Sequence, residues 1–254
     1  MKDILSQLIQ KTGYQISKIT EKSINPKNNY FQIKNLLCKN KESLIFDVGA
    51  HIGDVSKLYR KILPTSTIYA FEPIDECYNK MNAQFNNDSK FYSYKYAITN
   101  HVGTKDLFIS NNLASSSLLE SSPKGIKAWG KDLLKTNSIV TVECTTLDNF
   151  CSNNQINNID LLKLDIQGSE YDALLGAKNL LTNQLISIIY CEIPIFKSYK
   201  KQGEFDQILT LLNKHNYHLF NIFKSVTNGK NGQLMEIDAM FVLPRMIESF
   251  STDI

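Results

Sequence analysis

The segment Leu44-Ile45-Phe46-Asp47-Val48-Gly49-Ala50-His51-Ile52-Gly53-Asp54-Val55-Ser56 constrains the fold of this chain more than any other. It is a short apolar run, an acidic residue, two glycines four apart and a stretch able to start a helix. That order describes a buried parallel strand turning sharply into a helix beneath a bound nucleoside. The spacing also discriminates between nucleosides. A dinucleotide-binding turn reads G-x-G-x-x-G, whereas Asp-x-Gly-x-x-x-Gly has no middle glycine to make room for a pyrophosphate. A nucleoside without phosphates, carrying a sugar and an amino-acid tail, fits better. S-adenosylmethionine (SAM) is the candidate ligand.

Composition narrows the class. A chain of 254 residues, 43% hydrophobic and 21% charged, suits one elaborated soluble α/β domain. Lys and Arg number 28 against 25 Asp and Glu, interspersed, for a net charge of +3. A nucleic-acid binder concentrates its positive charge on one face or segment. The one basic cluster here, Lys197, Lys200 and Lys201, reads as a solvated turn, so no nucleic-acid partner is expected. Five cysteines (Cys38, Cys77, Cys144, Cys151, Cys191) form no C-x-x-C pair and imply a reducing compartment. No apolar run approaches the ~20 residues of a membrane span, and the first residues lack a signal-peptide core. A cytoplasmic protein is the expectation.

Residues 1–43 read as an N-terminal helical extension, with Ile4, Leu5, Leu8 and Ile9 at helical spacing. The apolar stripe over residues 4–19 suits packing on the sheet or on a second copy, so a homodimer is plausible. Residues 44–254 read as a single domain. Strands are expected at Leu44–Val48, Thr67–Phe71, Phe91–Ile98, Asp106–Ser110, Ile139–Cys144, Asp160–Leu164 and Leu185–Cys191, with helices between most of them. Tyr217–Phe223 and Met235–Leu243 then form a closing hairpin. This alternation argues a Rossmann-like α/β fold: a mostly parallel sheet, helices on both faces, and a C-terminal antiparallel hairpin. Residues 111–138 are polar and carry no sustained period, and they read as a substrate-side loop.

Ligands in such sheets sit beyond the carboxyl ends of the strands. Asp47, Glu72, Ala97, Asp165 and Glu192 are expected there, and four of these five are acidic. Gly49 and Gly53 let the backbone pass close to the ligand, and Asp47 can anchor its ammonium directly or through water. Glu72 lies 25 residues beyond Asp47, where an acidic residue takes ribose hydroxyls. Each carboxylate has a plainer alternative as a helix cap, Asp54 especially.

Four segments carry a resemblance: Phe46–Gly53, Tyr69-Ala70-Phe71-Glu72-Pro73, Thr146-Leu147-Asp148-Asn149-Phe150 and Ile159–Glu170. With Gly176-Ala177 and Cys191-Glu192-Ile193, they make the chain resemble the FkbM family of SAM-dependent methyltransferases, over roughly residues 44–195. Two positions depart from the family pattern: His51 stands where Asn is usual, and Gln167 where Glu is usual. The resemblance implies methyl transfer from SAM to a hydroxyl of a small carbohydrate, such as a nucleotide-linked sugar or a surface-polysaccharide precursor. The cofactor set it implies is Asp47, Gly49, Ala50, His51, Gly53, Asp54, Ser56, Glu72, Pro73, Ala97, Ser116 and Asp165.

Methyl transfer to an alcohol needs a base within hydrogen-bond reach of the acceptor. Asp165 is the first candidate, Glu192 the second and His51 the third, ahead of His101, His215 and His218. Converging Asp165 and Glu192 can also hold a divalent cation, but no further ligand set compels one and no metal is assigned. Ser115-Ser116-Ser117-Leu118 reads as an acceptor-side lid. Trp129 is either a stacking face or a loop anchor, and Lys124 either a phosphate contact or a surface charge. Two other function classes stay open: an NAD-dependent oxidoreductase, against which the missing G-x-G-x-x-G stands, and a non-catalytic SAM-binding protein. Methylation of nucleic-acid amino groups is disfavoured, because Ile193-Pro194-Ile195-Phe196 lacks the second proline of an N/D-P-P segment.

Overall fold

The computed structural model describes residues 28–37 and 42–248. The stripe expected over residues 4–19, and with it the expected contact between two copies, lies outside the described residues. The elements run α1 (Asn29–Leu37), β1 (Leu44–Val48), α2 (Asp54–Ile62), β2 (Thr67–Phe71), α3 (Asp75–Phe85), β3 (Phe91–Tyr94), β4 (Ala97–Ile98) and β5 (Gly103–Ser110). After a 3-10 turn at Leu113–Ser115 come α4 (Pro123–Trp129), α5 (Lys131–Leu134), β6 (Thr136–Thr145), α6 (Leu147–Asn153), β7 (Ile159–Leu164), α7 (Glu170–Leu175) and α8 (Lys178–Thr182). The chain continues through β8 (Ile186–Pro194), α9 (Phe205–Lys214), β9 (His218–Thr227), β10 (Leu234–Val242) and α10 (Arg245–Glu248).

Seven strands form the main sheet in the order β3-β2-β1-β7-β8-β10-β9. The first five are parallel, and β10 runs antiparallel to both of its neighbours. The strands β1, β7 and β8 are near-continuous apolar runs because both of their faces are covered. Phe46, Val48, Leu162, Leu164, Ile189 and Cys191 share one cluster with Phe150 of α6, Ala173 of α7 and Leu212 of α9. Ile45, Leu161, Ile188 and Met240 pack on the other side with Ile33 and Leu37 of α1 and Tyr59 of α2. Strand alternation therefore points Asp47 and Lys163, both on the second face, at each other.

Three expectations need correction. The single strand expected at Phe91–Ile98 is two: Tyr94 pairs with Phe71 in the main sheet, while Ala97 opens β4 and pairs with Cys144. Ala97 is thus not at the end of a main-sheet strand. It belongs to a second, three-stranded sheet in the order β4-β6-β5, which the alternation did not reveal. The closing hairpin is the antiparallel edge of the main sheet, with the last strand, β10, lying between β8 and β9. Its register places Asp238 opposite Glu192 and carries β8 on to Pro194, so Glu192 lies within the strand.

Residues 111–138 are not a featureless loop. They hold the 3-10 turn, α4 and α5, elements too short to show a period. Ser122 accepts a hydrogen bond from the Gly125 N–H at 2.8 Å, and Pro123 follows it in the first turn of α4. A Cβ on Gly125 would lie 2.3 Å from the Ser198 carbonyl oxygen, so glycine is what lets α4 press against the chain beyond β8. Among the described residues Cys77, Cys144, Cys151 and Cys191 are all buried and unpaired, and no helix is long and apolar enough to cross a membrane.

Candidate active site

A buried ion pair underlies the glycine turn. Asp47 and Lys163 are register partners on β1 and β7, and the Lys163 Nζ lies 3.1 Å from Asp47 Oδ1. Their side chains are 0% and 5% exposed. Ser56 donates to the other Asp47 oxygen at 2.6 Å, and Lys163 donates to the Gly49 carbonyl at 2.9 Å. Lys163 also reaches Asp165 Oδ2 at 3.4 Å. Burial favours the neutral amine, but Asp47 and Asp165 outweigh it and raise the pKa above the ordinary lysine value.

Turn geometry follows from that floor. The Gly49 and Ala50 N–H groups both donate to the Phe71 carbonyl at 3.0 Å. Gly49 has φ +74°, and a Cβ there would lie 1.9 Å from the Asp165 carbonyl oxygen. The glycine is therefore required by the closeness of β1 to the end of β7. At Gly53 (φ +89°) the crowding comes from the Phe85 ring, which would stand 2.8 Å from a Cβ.

A cleft of about 640 Å³ opens over this turn. Of the expected cofactor residues, Gly49, His51, Glu72, Pro73, Ala97, Ser116 and Asp165 line it. Asp47, Ala50, Gly53, Asp54 and Ser56 do not. Asp47 and Ser56 are sealed beneath the turn around Lys163, and Ala50 packs with Ala70, Met81 and Phe85. Asp54 is exposed in the first turn of α2, 4.0 Å from Lys57. It does not cap the helix either: Gly53 holds the N-cap position, with no side-chain cap bond.

Glu72 closes one end of the cleft. Its two oxygens accept from the His51 N–H at 2.9 Å and the Ile74 N–H at 2.8 Å. Burial pushes its pKa up to about 7 against the pull of those bonds. Phe71, Pro73, Tyr96, Ala97, Ile98 and Leu107 make a largely apolar wall beside it. An apolar slot with a few fixed polar groups suits a nucleoside, and a buried carboxylate at its end suits a ribose diol. His51 has φ 51°, and among the described residues its imidazole has no hydrogen-bond partner. Burial lowers its pKa.

A second cleft of about 820 Å³ adjoins the first and shares Ala114, Asp165 and Gln167 with it. Trp129, Glu192, Tyr199, Lys224 and Glu236 line it. Asp165 and Glu192 are brought together as the sequence suggested, through the Gln167 amide, whose Nε2 donates to Asp165 Oδ1 and Glu192 Oε1 at 3.0 Å each. Despite burial, Lys163 and the Gln167 bond hold Asp165 below its usual range. Burial and the Asp165 charge drive Glu192 well above it. Lys224 lies 3.1 Å from both Glu192 and Glu236 and 3.9 Å from Asp238. Those three carboxylates are the only group among the described residues with metal-ligand spacing, and the Lys224 ammonium already sits among them.

Lys163, Tyr199 and Lys224 escaped the sequence reading. Lys163 had a signal, a lysine at an inward position of an otherwise apolar strand. Tyr199 was hidden inside the basic run taken for a solvated turn. Lys197 and Lys200 are indeed on the surface, paired with Glu204 and Glu120, but Tyr199 is buried between them. Trp129 lines the second cleft while its indole N–H donates to Ser198 Oγ at 2.8 Å, so it is both wall and anchor. Lys124 is exposed and lines neither cleft. His101, His215 and His218 also lie outside both clefts.

Residues 47–219 match the Methyltransferase FkbM domain. The chain belongs to the FkbM methyltransferase family. This FkbM methyltransferase is 26% identical over 189 residues to 2-O-methyltransferase NoeI of Sinorhizobium fredii, covering 71% of this chain and 75% of that protein. It is 25% identical over 145 residues to Methyltransferase 1 of Beauveria bassiana, covering 53% and 58%, so it spans little more than half the length of that relative. Among solved structures, M. capricolum TrmK in complex with S-adenosyl-homocysteine is similar with a TM-score of 0.47 and 13% identity, covering 85% of this chain and 67% of that one. The protein is a SAM-dependent methyltransferase of α/β architecture, which sets aside the oxidoreductase alternative.

Proposed function

We propose that this FkbM methyltransferase transfers the methyl group of SAM to a hydroxyl of a small carbohydrate, such as a nucleotide-linked sugar or a surface-polysaccharide precursor. The observation that carries the reading is the shared wall of the two clefts. Asp165 faces both, so a group in the second cleft meets the first at a carboxylate. Hydroxyl, amide, carboxylate and ammonium groups line the second cleft beside Trp129, the mixture that a polyhydroxylated ring with one apolar face requires. The name of NoeI, a 2-O-methyltransferase, supports an oxygen acceptor.

Glu72 would hold the ribose, with the Phe71 to Ile98 wall against the adenine. Bound SAM would supply an electrophilic methyl on its sulfonium, with S-adenosylhomocysteine as the leaving group. The Asp165 carboxylate would take the proton that the acceptor hydroxyl gives up on accepting that methyl. The 32% of the Asp165 side chain left exposed opens onto the clefts, whereas Asp47 is sealed and has no access to an acceptor. A cytoplasmic location accords with four unpaired buried thiols. The test is S-adenosylhomocysteine release over a panel of nucleotide-linked sugars, free sugars, peptides and RNA. Turnover confined to peptide or RNA would sink the carbohydrate reading.

A further inference from the structure

We propose that Gln167 is the positioning residue of the acceptor site: its side-chain amide clamps Asp165 and Glu192 into one hydrogen-bonded carboxylate pair, and Tyr199 fixes which way the amide points. This rests on the reading of Asp165 as the proton acceptor. The Tyr199 hydroxyl donates to Gln167 Oε1 at 2.9 Å, while both Nε2 bonds go to the carboxylates. Reversing the amide would set its oxygen against two carboxylate oxygens, so one orientation alone satisfies every partner. The second oxygen of each carboxylate meets a cation, Lys163 at 3.4 Å from Asp165 and Lys224 at 3.1 Å from Glu192. Lys163, Asp165, Gln167, Glu192 and Lys224 thus alternate donor and acceptor from beneath the glycine turn to the second cleft.

The backbone is set for this task. Gln167 has φ 56°, a left-handed conformation that residues other than glycine rarely adopt. Ser117 holds it there by donating to the Gln167 carbonyl at 2.7 Å. A carboxylate in place of the amide would put three acidic groups in one cluster and remove the Nε2 donor between Asp165 and Glu192. The surrounding charges offer little relief. Glu170 of α7, Glu236 and Asp238 of β10 and Asp47 of β1 are further acidic groups facing the pair, Tyr30 and Tyr190 are neutral, and Lys163 and Lys224 are already engaged.

The test needs no acceptor. Infrared titration in the presence of a chelator follows the C=O band of a protonated carboxylic acid, identified by its loss in Glu192→Gln. Gln167→Glu adds a like charge, and Tyr199→Phe frees the amide. Both are expected to keep this band to higher pH than the wild type, by roughly one pH unit in the first case. S-adenosylhomocysteine affinity by calorimetry should stay within about twofold in Tyr199→Phe, a position that lines only the second cleft. Should Gln167→Glu fail to fold, Tyr199→Phe carries the test. The proposal is overturned if the band titrates alike in the wild type and the folded variants, or if Glu192→Gln removes no band. An acceptor other than a carbohydrate would leave the titration result untouched.

Discussion

In the proposed reading, burial and ribose binding share the Glu72 side chain. Its carboxyl is pushed up to about 7 by burial, yet a ribose diol is bound best by the carboxylate. Affinity for S-adenosylhomocysteine should therefore rise between pH 6 and 8, and Glu72→Gln should flatten that rise in calorimetry. Glu72→Ala should weaken binding by about 1.5–3 kcal/mol, as for other charge-assisted bonds; unchanged affinity would leave Glu72 a purely structural residue. For folding the sign is opposite. A raised pKa contributes stability below the ordinary carboxyl value that is lost as pH climbs through about 7, and Glu170, pushed by burial to about 7, acts in the same sense. The apo protein should lose stability from pH 5 to 8, less so in Glu72→Gln. Lys163 is the counterpart. Lys163→Met leaves Asp47 buried without its cation and should cost about 3–5 kcal/mol in urea denaturation. Combining it with Asp47→Asn should recover part of that loss. At this scale the acidic residues were legible because they break apolar runs. Their partners were not, since the pairing of Asp47 with Lys163 spans 116 positions of the chain and depends on strand order.

Among the elements, α4 is the one the sequence hid and the site depends on. Seven residues give too few turns for a hydrophobic period, although the Ser122-Pro123 start was a readable cap. Its place is fixed by Gly125 against Ser198 and by the Trp129 bond to the same residue. Trp129 is the sole tryptophan, so its fluorescence reports on the second cleft. An acceptor that fills this cleft should change that emission, and S-adenosylhomocysteine alone should change it far less. Trp129→Phe should raise the acceptor KM while leaving cofactor affinity intact; equal loss of both would mean that α4 supports the cofactor cleft. Gly125→Ala should separate α4 from the chain beyond β8 and lower turnover more than global stability. The glycine turn is the opposite case. Its dipeptides and spacing announced a strand, a sharp turn and a helix, but the contact that requires Gly49, with the Asp165 backbone, comes from a distant strand end.

Across the whole molecule, burial is concentrated in β1, β7 and β8, and the small sheet lies outside it with Ile139 and Val140 exposed. Hydrogen exchange should be slowest in those three strands and faster in β5 and the first half of β6. Saturation with S-adenosylhomocysteine at about 100 times its Kd should add roughly 2.7 kcal/mol, with the largest gain in protection at Gly49–His51 and Glu72–Ile74. By itself the sequence determined the parallel core, the nucleoside turn and the residues Glu72, Asp165 and Glu192, because local periodicity and turn chemistry act over a few residues and leave their mark there. Only the tertiary structure decided that β10 enters between β8 and β9, bringing Glu236 and Asp238 to Glu192 and Lys224. It also decided that Asp47 is sealed beneath the turn against Lys163. Both outcomes follow from which strands lie side by side, a matter of long-range packing that no short window of residues encodes.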